Sequence, residues 1–113
     1  MRFSAKLISS VPSDAERNFI ISYFCRDDTI QVFELAERNS GRQSNKFMER
    51  QGHQNPFTKQ SYKEKEFVVG NTIYLKKYVF RLLEMDEYTK KYMIVIYSIK
   101  TIRKTVISLE IQT

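Results

Sequence analysis

The apolar and polar positions of the chain are organised around two neighbouring apolar runs. Phe19–Cys25 and Thr29–Leu35 flank the polar turn Arg26-Asp27-Asp28. Both runs are rich in Ile, Val, Phe, Tyr and Thr, the residue types that fit a pleated, half-buried strand. Aspartate tolerates the left-handed conformation and hydrogen-bonds its own backbone, so two aspartates make a turn without glycine. The pattern predicts a central β-hairpin whose apolar faces are covered by other elements.

A first strand and a short helical turn are predicted before this hairpin. Residues alternate between two faces from Phe3 to Ile8, which is typical of a strand. Ser13 or Asp14 is expected to cap one helical turn that runs to Arg17.

The middle of the chain is polar and less regular. The segment from Arg38 to Lys46 is turn-like, and Lys46–Arg50 returns as a short strand. Gln51–Glu66 is the longest irregular region. It is long for a connection inside a compact domain, which indicates a functional or a mobile segment.

A second hairpin is predicted next. Thr72–Leu75 and Tyr78–Leu83 are its strands, and Lys76-Lys77 is the turn between them. A lysine pair suits a hairpin tip because its charges are easily solvated there.

Asp86 begins a helical pattern. Its carboxylate can accept a hydrogen bond from the first free amides of a helix, and Glu87 suits the positive end of the dipole. Apolar residues then recur at spacings of four and three, at Tyr88, Tyr92, Val95, Ile99, Ile102, Val106 and Leu109. This stripe predicts an amphipathic helix from Asp86 to at least Tyr92, packed on the end of the sheet. The many β-branched residues between 94 and 111 leave a strand at Ile94–Ile99 as an alternative.

The predicted fold class is mostly β with a C-terminal α-helix. Short antiparallel strands form a curved sheet, and a sheet of this size leaves an open end or seam. The amphipathic helix is expected to cover that opening. A chain of 113 residues is expected to be one domain.

Charge and cysteine usage narrow the function classes. A formal net charge of +6 suggests acidic partners such as nucleic acid, anionic lipid or an acidic protein surface. The chain lacks a signal-peptide h-region and any run of roughly 18 apolar residues, so a soluble intracellular protein is expected. Cys25 is the only cysteine, which precludes an internal disulfide. It is interpreted as a small buried residue of a strand.

Candidate catalytic and metal-binding groups are few. His53 is the only histidine and is expected to be a solvated loop residue. One histidine and one cysteine form neither a closed zinc site nor a convincing nucleophilic triad. The three glycines stand singly, so no phosphate loop is present. One carboxylate cluster is interpreted as helix capping and surface charge: Glu84, Asp86 and Glu87. We therefore predict no catalytic residue, cofactor or metal.

Basic residues form the candidate partner-binding set. They surround the Asn39-Ser40-Gly41 turn and populate the long loop: Arg38, Arg42, Lys46, Arg50, Lys59, Lys63 and Lys65. They are interpreted either as ordinary solvated charge or as a positive face for an acidic partner. One exposed ion pair contributes only about 0–1 kcal/mol, so affinity would require many contacts or tethering in a lattice.

An ordered series of segments resembles one known family. The segments are Arg2–Leu7, Ile21–Phe24, Asp27–Ile30, Asn39–Gly41, Lys46–Arg50, Val69-Gly70, and Tyr78–Leu83 running into Asp86–Thr89. Together they look like the DM-ten domain of ciliary proteins. This module recurs three times in the EF-hand-containing, myoclonin-like proteins of the axonemal protofilament ribbon. The Lys-Phe-x-Glu-Arg strand and the Asp-Glu-Tyr-Thr ending look most like the third repeat.

The resemblance implies both a fold and a role. It implies a small pleckstrin-homology-like antiparallel β-barrel with the start of a C-terminal helix, over residues 1–92. It also implies a non-catalytic structural module of the cytoskeleton in cilia and flagella. Such a module would bind tubulin and neighbouring axonemal proteins, as a microtubule inner protein of doublet microtubules. No EF-hand loop is present, so calcium is not inferred. Residues 93–113 match nothing in the family and form a C-terminal extension.

The alternative function is an anionic-ligand module for phosphoinositide or nucleic acid. Lipid-binding relatives of this fold cluster bases around one hairpin mouth, whereas here the bases are scattered over several loops. Nucleic-acid binding would favour aromatic side chains exposed among the bases. Tyr23, Phe33 and Tyr74 are instead expected in the core. Neither a membrane nor a nucleic-acid partner is therefore expected.

Overall fold

The computed structural model describes residues 1–35, 45–96 and 98–99. Six strands lie within these residues: β1 (Arg2–Leu7), β2 (Asn18–Phe24), β3 (Thr29–Leu35), β4 (Asn45–Gly52), β5 (Thr72–Leu75) and β6 (Tyr78–Met85). Short 3-10 helices span Pro12–Glu16 and Glu64–Glu66. Helix α1 covers residues 87–96, and residues 98 and 99 are also helical.

The strands form one antiparallel sheet in the order β4-β3-β2-β1-β6-β5. The sheet curls into a half-barrel, and β4 and β5 are its two edge strands. A β-bulge interrupts the β1–β6 pairing between Ser4 and Ala5, and two register shifts interrupt the pairing of β3 with β4. Bulges bend a sheet, so they favour this curvature. The predicted fold class, mostly β with a C-terminal helix in a small barrel-like fold, is confirmed.

The predicted central hairpin is confirmed as β2 and β3. Ile21 lies opposite Val32 and Tyr23 opposite Ile30, and all four side chains are buried on the inner face. Asp28 adopts the left-handed conformation expected of a turn aspartate, with φ of 55°. The prediction for Cys25 is wrong, because β2 ends at Phe24 and Cys25 is exposed in the turn.

The core of the half-barrel is aromatic. The Phe19 ring packs edge-on against Phe47 and Phe80, with 5.1 Å between ring centroids in each pair. The Tyr23 ring stacks on Phe67 at 4.4 Å. Edge-to-face and offset-stacked aromatic pairs are favoured arrangements, so these contacts add to the stability gained by burial.

Much of the predicted irregular region is folded against this core. Strand β4 runs on to Gly52, and Tyr62 and Phe67 from the following segment are buried. The Tyr62 hydroxyl accepts a hydrogen bond of 2.8 Å from the Tyr74 backbone N–H. The connection therefore covers part of the β5 edge, which would otherwise present free backbone groups.

His53 is buried, contrary to the prediction of a solvated loop histidine. Its side chain is 8% exposed, and its Nε2 makes no hydrogen bond to any described residue. The bridge between Gln54 and Ser61 folds the chain back, and the His53 carbonyl accepts a hydrogen bond of 3.0 Å from Tyr62 N–H. Burial, with a smaller effect from the charge of Lys76, lowers the pKa of His53 below its usual value.

We expect this histidine to make the domain less stable in mild acid. An unfolded histidine has a pKa near 6.5, whereas the pKa of folded His53 lies lower. Between these two values only the unfolded state binds the proton, so the free energy of unfolding falls as pH falls. The slope is at most about 1.4 kcal/mol per pH unit. Urea denaturation between pH 7.5 and 5.5 measures it, and His53→Gln is expected to flatten the slope. Equal slopes in the two proteins would contradict the prediction.

The predicted helical turn before β2 is present as the 3-10 helix Pro12–Glu16, but its capping prediction is wrong. Val11 occupies the N-cap position and makes no side-chain capping bond. Asp14 instead accepts hydrogen bonds from Ser9 Oγ at 2.7 Å and from Arg17 at 3.1 Å. Arg17 also makes two bonds of 2.8 Å to the Glu34 carboxylate, which fastens this turn to β3.

Helix α1 begins as predicted. The Asp86 carboxylate accepts a hydrogen bond of 2.8 Å from Thr89 N–H, which is the expected cap. Burial opposes ionisation of Asp86, but the bonds from Thr89 outweigh it and the pKa of this carboxyl lies below its usual value. Residues 94–96, 98 and 99 are helical, so the alternative strand at Ile94–Ile99 is not formed there.

The face that α1 turns toward the sheet differs from the predicted one. Of the predicted stripe, Tyr88, Val95 and Ile99 are 74%, 56% and 42% exposed and Tyr92 is half-buried. Thr89 and Met93, which are not part of that stripe, are buried. A hydrogen bond from β1 explains this orientation of the helix. Thr89 Oγ1 accepts a bond of 2.7 Å from Arg2 N–H, which holds the face of α1 that carries Thr89 against β1. The other stripe residues, at 102, 106 and 109, lie outside the described residues.

Candidate interaction surface

The turn between β2 and β3 carries a charged cluster that includes Arg50. Arg50 Nη2 lies 3.0 Å from the Asp27 carboxylate, and its Nε donates to Thr29 Oγ1 at 2.9 Å. The guanidinium also lies 3.7 Å above the centre of the Phe24 ring, a cation–π contact. Arg50 therefore clamps β4 to the hairpin turn, which is a structural task for a residue predicted to bind a partner.

Lys63 takes part in the same cluster through Asp28. Its Nζ lies 2.6 Å from Asp28 Oδ2, and the Tyr23 hydroxyl donates to the other carboxylate oxygen. The bond from Lys63, followed by that from Tyr23, lowers the pKa of Asp28. Burial, together with the Asp28 charge, raises the pKa of Tyr23. These bonds fix the long connection against the hairpin turn.

Helix α1 also contacts this region. The Tyr92 hydroxyl donates to Glu64 at 3.3 Å. Its contact with Cys25, together with burial, raises the pKa of Tyr92 to about 12. The turn, the long connection and the helix therefore meet at one end of the half-barrel.

The five basic residues of the predicted set that the structure describes lie at different places, and only Arg50 and Lys63 share one cluster. Lys46 pairs with Glu49 at 3.4 Å, while Arg50 and Lys63 are held at the hairpin turn. Lys59 and Lys65 are exposed at other points of the long connection. Arg38 and Arg42 lie outside the described residues. The three paired bases have part of their charge already compensated, and such exposed pairs contribute little to stability.

A different surface combines exposed aromatic and basic side chains. Phe57 is 75% exposed at the tip of the long connection, and its ring meets Tyr74 edge-on at 5.0 Å. Lys59 follows in the same tip, Lys76 lies in the β5–β6 turn, and Arg81 is exposed on β6. We call these five residues the Phe57 surface.

Sequence reasoning missed this surface because it assigned Tyr74 to the core. Ile73 and Leu75 of β5 are buried, so the alternation of a strand places Tyr74 on the opposite face. Phe33 is likewise only half-buried. Ile30 and Val32 are the buried residues of β3, and strand alternation places Phe33 on the opposite face. Of the three aromatic residues predicted to lie in the core, only Tyr23 does so. The alternation of residues along each strand was the signal in the sequence that could have placed Tyr74 and Phe33 outside the core.

Two depressions between described residues bring together no hydrogen-bonded pair of nucleophile and base. One hollow of about 320 Å³ lies between β1 and β6, and its ionisable residues are Arg2, Glu84 and Asp86. Another, of about 350 Å³, lies between the first residues of the chain and the start of α1. Asp86 is committed to the helix cap, and Glu87 pairs with Lys90 at 3.4 Å. Among the described residues, no three His, Cys, Asp or Glu side chains are placed to hold a metal ion. Along the same part of the chain, no helix has the length and apolar content to cross a bilayer.

Comparison with known proteins assigns the domain. The family model of the DM10 domain, which is the DM-ten domain that the sequence resembles, matches residues 1–89. EF-hand domain-containing family member C2 of Bos taurus is 42% identical over 100 residues, and the match covers 82% of this chain and 14% of that protein. The Mus musculus protein of the same name is 36% identical over 100 residues, covering 82% and 13%.

A second group of relatives gives the same result. EF-hand domain-containing protein 1 of Homo sapiens is 35% identical over 97 residues, covering 82% of this chain and 15% of that protein. The chain thus spans about one seventh of the length of the relatives it matches. None of these names is that of an enzyme family. The assignment to a third repeat and the boundary at residue 92 stay predictions. The chain belongs to the DM10-domain family.

Proposed function

We propose that this domain is a non-catalytic binding module of ciliary and flagellar axonemes. In this role it contacts tubulin and neighbouring axonemal proteins inside doublet microtubules. The observation that carries the proposal is the DM10 match over residues 1–89. It is supported by relatives that are EF-hand domain-containing proteins rather than members of enzyme families.

The geometry suits a module that binds through its shape and surface charge. The aromatic core and the ion-paired turn hold the sheet and the long connection in one arrangement. A rigid surface loses little conformational entropy when it docks. The formal charge of +6 favours an acidic partner surface.

Ion pairs within the domain decide which of the candidate basic residues are most available to a partner. A partner carboxylate that approaches Lys46, Arg50 or Lys63 competes with a carboxylate already bound. Lys59 and Lys65 are exposed, and neither has an ion pair within the described residues. We therefore place Lys59 and Lys65 first among the proposed partner-binding residues.

Co-sedimentation tests this function. The domain is mixed with microtubules, with phosphoinositide-containing liposomes and with RNA, each at low salt and at about 0.15 M salt. We expect pelleting with microtubules that weakens as salt increases. Preferential pelleting with liposomes or RNA would contradict the proposal and favour the anionic-ligand alternative.

Charge reversal of the exposed lysines is expected to weaken microtubule pelleting. Lys59→Glu and Lys65→Glu each remove one favourable charge contact, so each is expected to lower affinity by up to about fivefold. Thermal stability is expected to stay unchanged. Lys91→Glu is the matched control, because Lys91 is also exposed but lies on α1. Equal losses in all three variants would show a general charge effect instead of a contact at the long connection.

A further inference from the structure

The Phe57 ring is largely exposed and therefore contributes little to the stability of the domain. Its side chain is 75% exposed, so its removal uncovers little of the core. The underlying Tyr74 ring extends the apolar area from the tip onto β5. A large aromatic side chain that protrudes in this way is typical of a contact residue at a protein interface.

The backbone of the loop tip is fixed in advance. Asn55 accepts a bond of 2.7 Å from Lys59 N–H through its carbonyl and one of 2.9 Å from Phe57 N–H through its side chain. Its own N–H donates to the Gln60 carbonyl at 2.9 Å. Asn55 Nδ2 also donates to Glu66 at 3.0 Å, which fastens the tip to the rest of the connection. Phe57 is therefore presented by a closed, hydrogen-bonded turn, which lowers the entropy cost of docking.

Three exposed basic residues lie in the same tip and in the hairpin that carries Tyr74. Lys59 is two residues away, and Arg81 lies opposite Thr72, which places it on the same sheet face as Tyr74. Lys76 is exposed where β5 ends. The carboxylate of Glu66 at the base of the tip is engaged by Asn55 Nδ2 and by Lys63 N–H at 2.8 Å. The three bases therefore add positive charge to this part of the surface, and the Glu66 carboxylate is already hydrogen-bonded.

We propose that the Phe57 surface docks an acidic protein surface that offers an apolar recess. Phe57 enters the recess as an anchor, while Lys59, Lys76 and Arg81 face carboxylates at its rim. The charge complementarity selects the acidic partner, and the single ordered aromatic selects a recess in a folded protein rather than a lipid surface. The inference deepens the proposed function, because it names the part of the domain that makes the contact.

Binding assays with the full chain test the inference on two acidic probes. The first probe is microtubules, and the second is fluorescently labelled calcium-loaded calmodulin, a folded acidic protein with an apolar groove. Phe57→Ser is expected to weaken binding at least about tenfold at low and at physiological salt, because loss of an apolar anchor is not screened. Lys59→Glu combined with Lys76→Glu is expected to weaken binding mainly at low salt.

Tyr88→Ser is the matched control, since Tyr88 is an equally exposed aromatic residue on α1. It is expected to bind like the parent chain, and circular dichroism melting is expected to show that all variants are folded. Binding to calmodulin but not to microtubules would overturn the proposed function and leave the inference standing. Parent-like binding by Phe57→Ser, an equal loss in Tyr88→Ser, or no binding to either probe would overturn the inference.

Discussion

Replacing Phe67 by alanine is expected to lower the free energy of unfolding by about 3–5 kcal/mol. The ring is fully buried, stacks on Tyr23 at 4.4 Å and lies 5.9 Å from Phe3 and 6.2 Å from Tyr62. Alanine would leave a cavity among these rings. The cavity cannot close easily, because Phe3 and Tyr23 are held on the neighbouring strands β1 and β2. A typical domain has only about 5–15 kcal/mol of stability, so much of the total would be lost.

Urea denaturation of the parent and variant measures this change. Val68→Ala is the matched control, because Val68 is the next residue in the chain and is 45% exposed. Its effect is expected to stay within about 0.5 kcal/mol. A loss below about 1 kcal/mol for Phe67→Ala would show that the segment before β5 is not part of the core.

The two hairpins and the start of the helix were predictable because their signals are local. Both hairpins pair strands across short turns, so the apolar run, the turn residues and the partner strand adjoin in the sequence. The Asp86 cap is equally local, since its bonding partner is Thr89. Such signals need no knowledge of the remaining chain.

The long connection was not predictable in the same way. Tyr62 and Phe67 are buried under the curled sheet, yet they follow neither the strand period nor the helix period. His53 was assigned to solvent because its neighbours in sequence are polar. Its burial results from the fold of the segment over the open side of the sheet, a tertiary effect that a polar sequence does not reveal.

In the candidate site, too, the features that depend on residues distant in sequence could not be predicted. Which bases are already paired depends on contacts between distant residues, such as Arg50 with Asp27 and Lys63 with Asp28. Charge counting alone treats these bases like Lys59. The structure separates them, and it also shows the exposed Phe57 ring against Tyr74, on which the proposed contact rests.

The rotation of α1 depends on one buried hydroxyl, so Thr89→Val is expected to lower the free energy of unfolding by about 1–3 kcal/mol. Thr89 is fully buried, and its Oγ1 accepts a hydrogen bond of 2.7 Å from the Arg2 N–H at the start of β1. Valine has nearly the same shape but no acceptor. The Arg2 amide would then lose its partner beneath the helix, which costs more than the bond itself contributes.

Thr89→Ser separates this bond from packing, because serine keeps the hydroxyl and removes only a methyl group. Serine is expected to cost less than valine, whereas the opposite order would show that the methyl contact and not the hydrogen bond positions α1. Hydrogen exchange at the Arg2 amide gives a second measurement, with faster exchange expected only in the valine variant. If valine shows parental exchange and stability, another contact sets the helix rotation, and the exposure of Tyr88, Val95 and Ile99 requires a different cause.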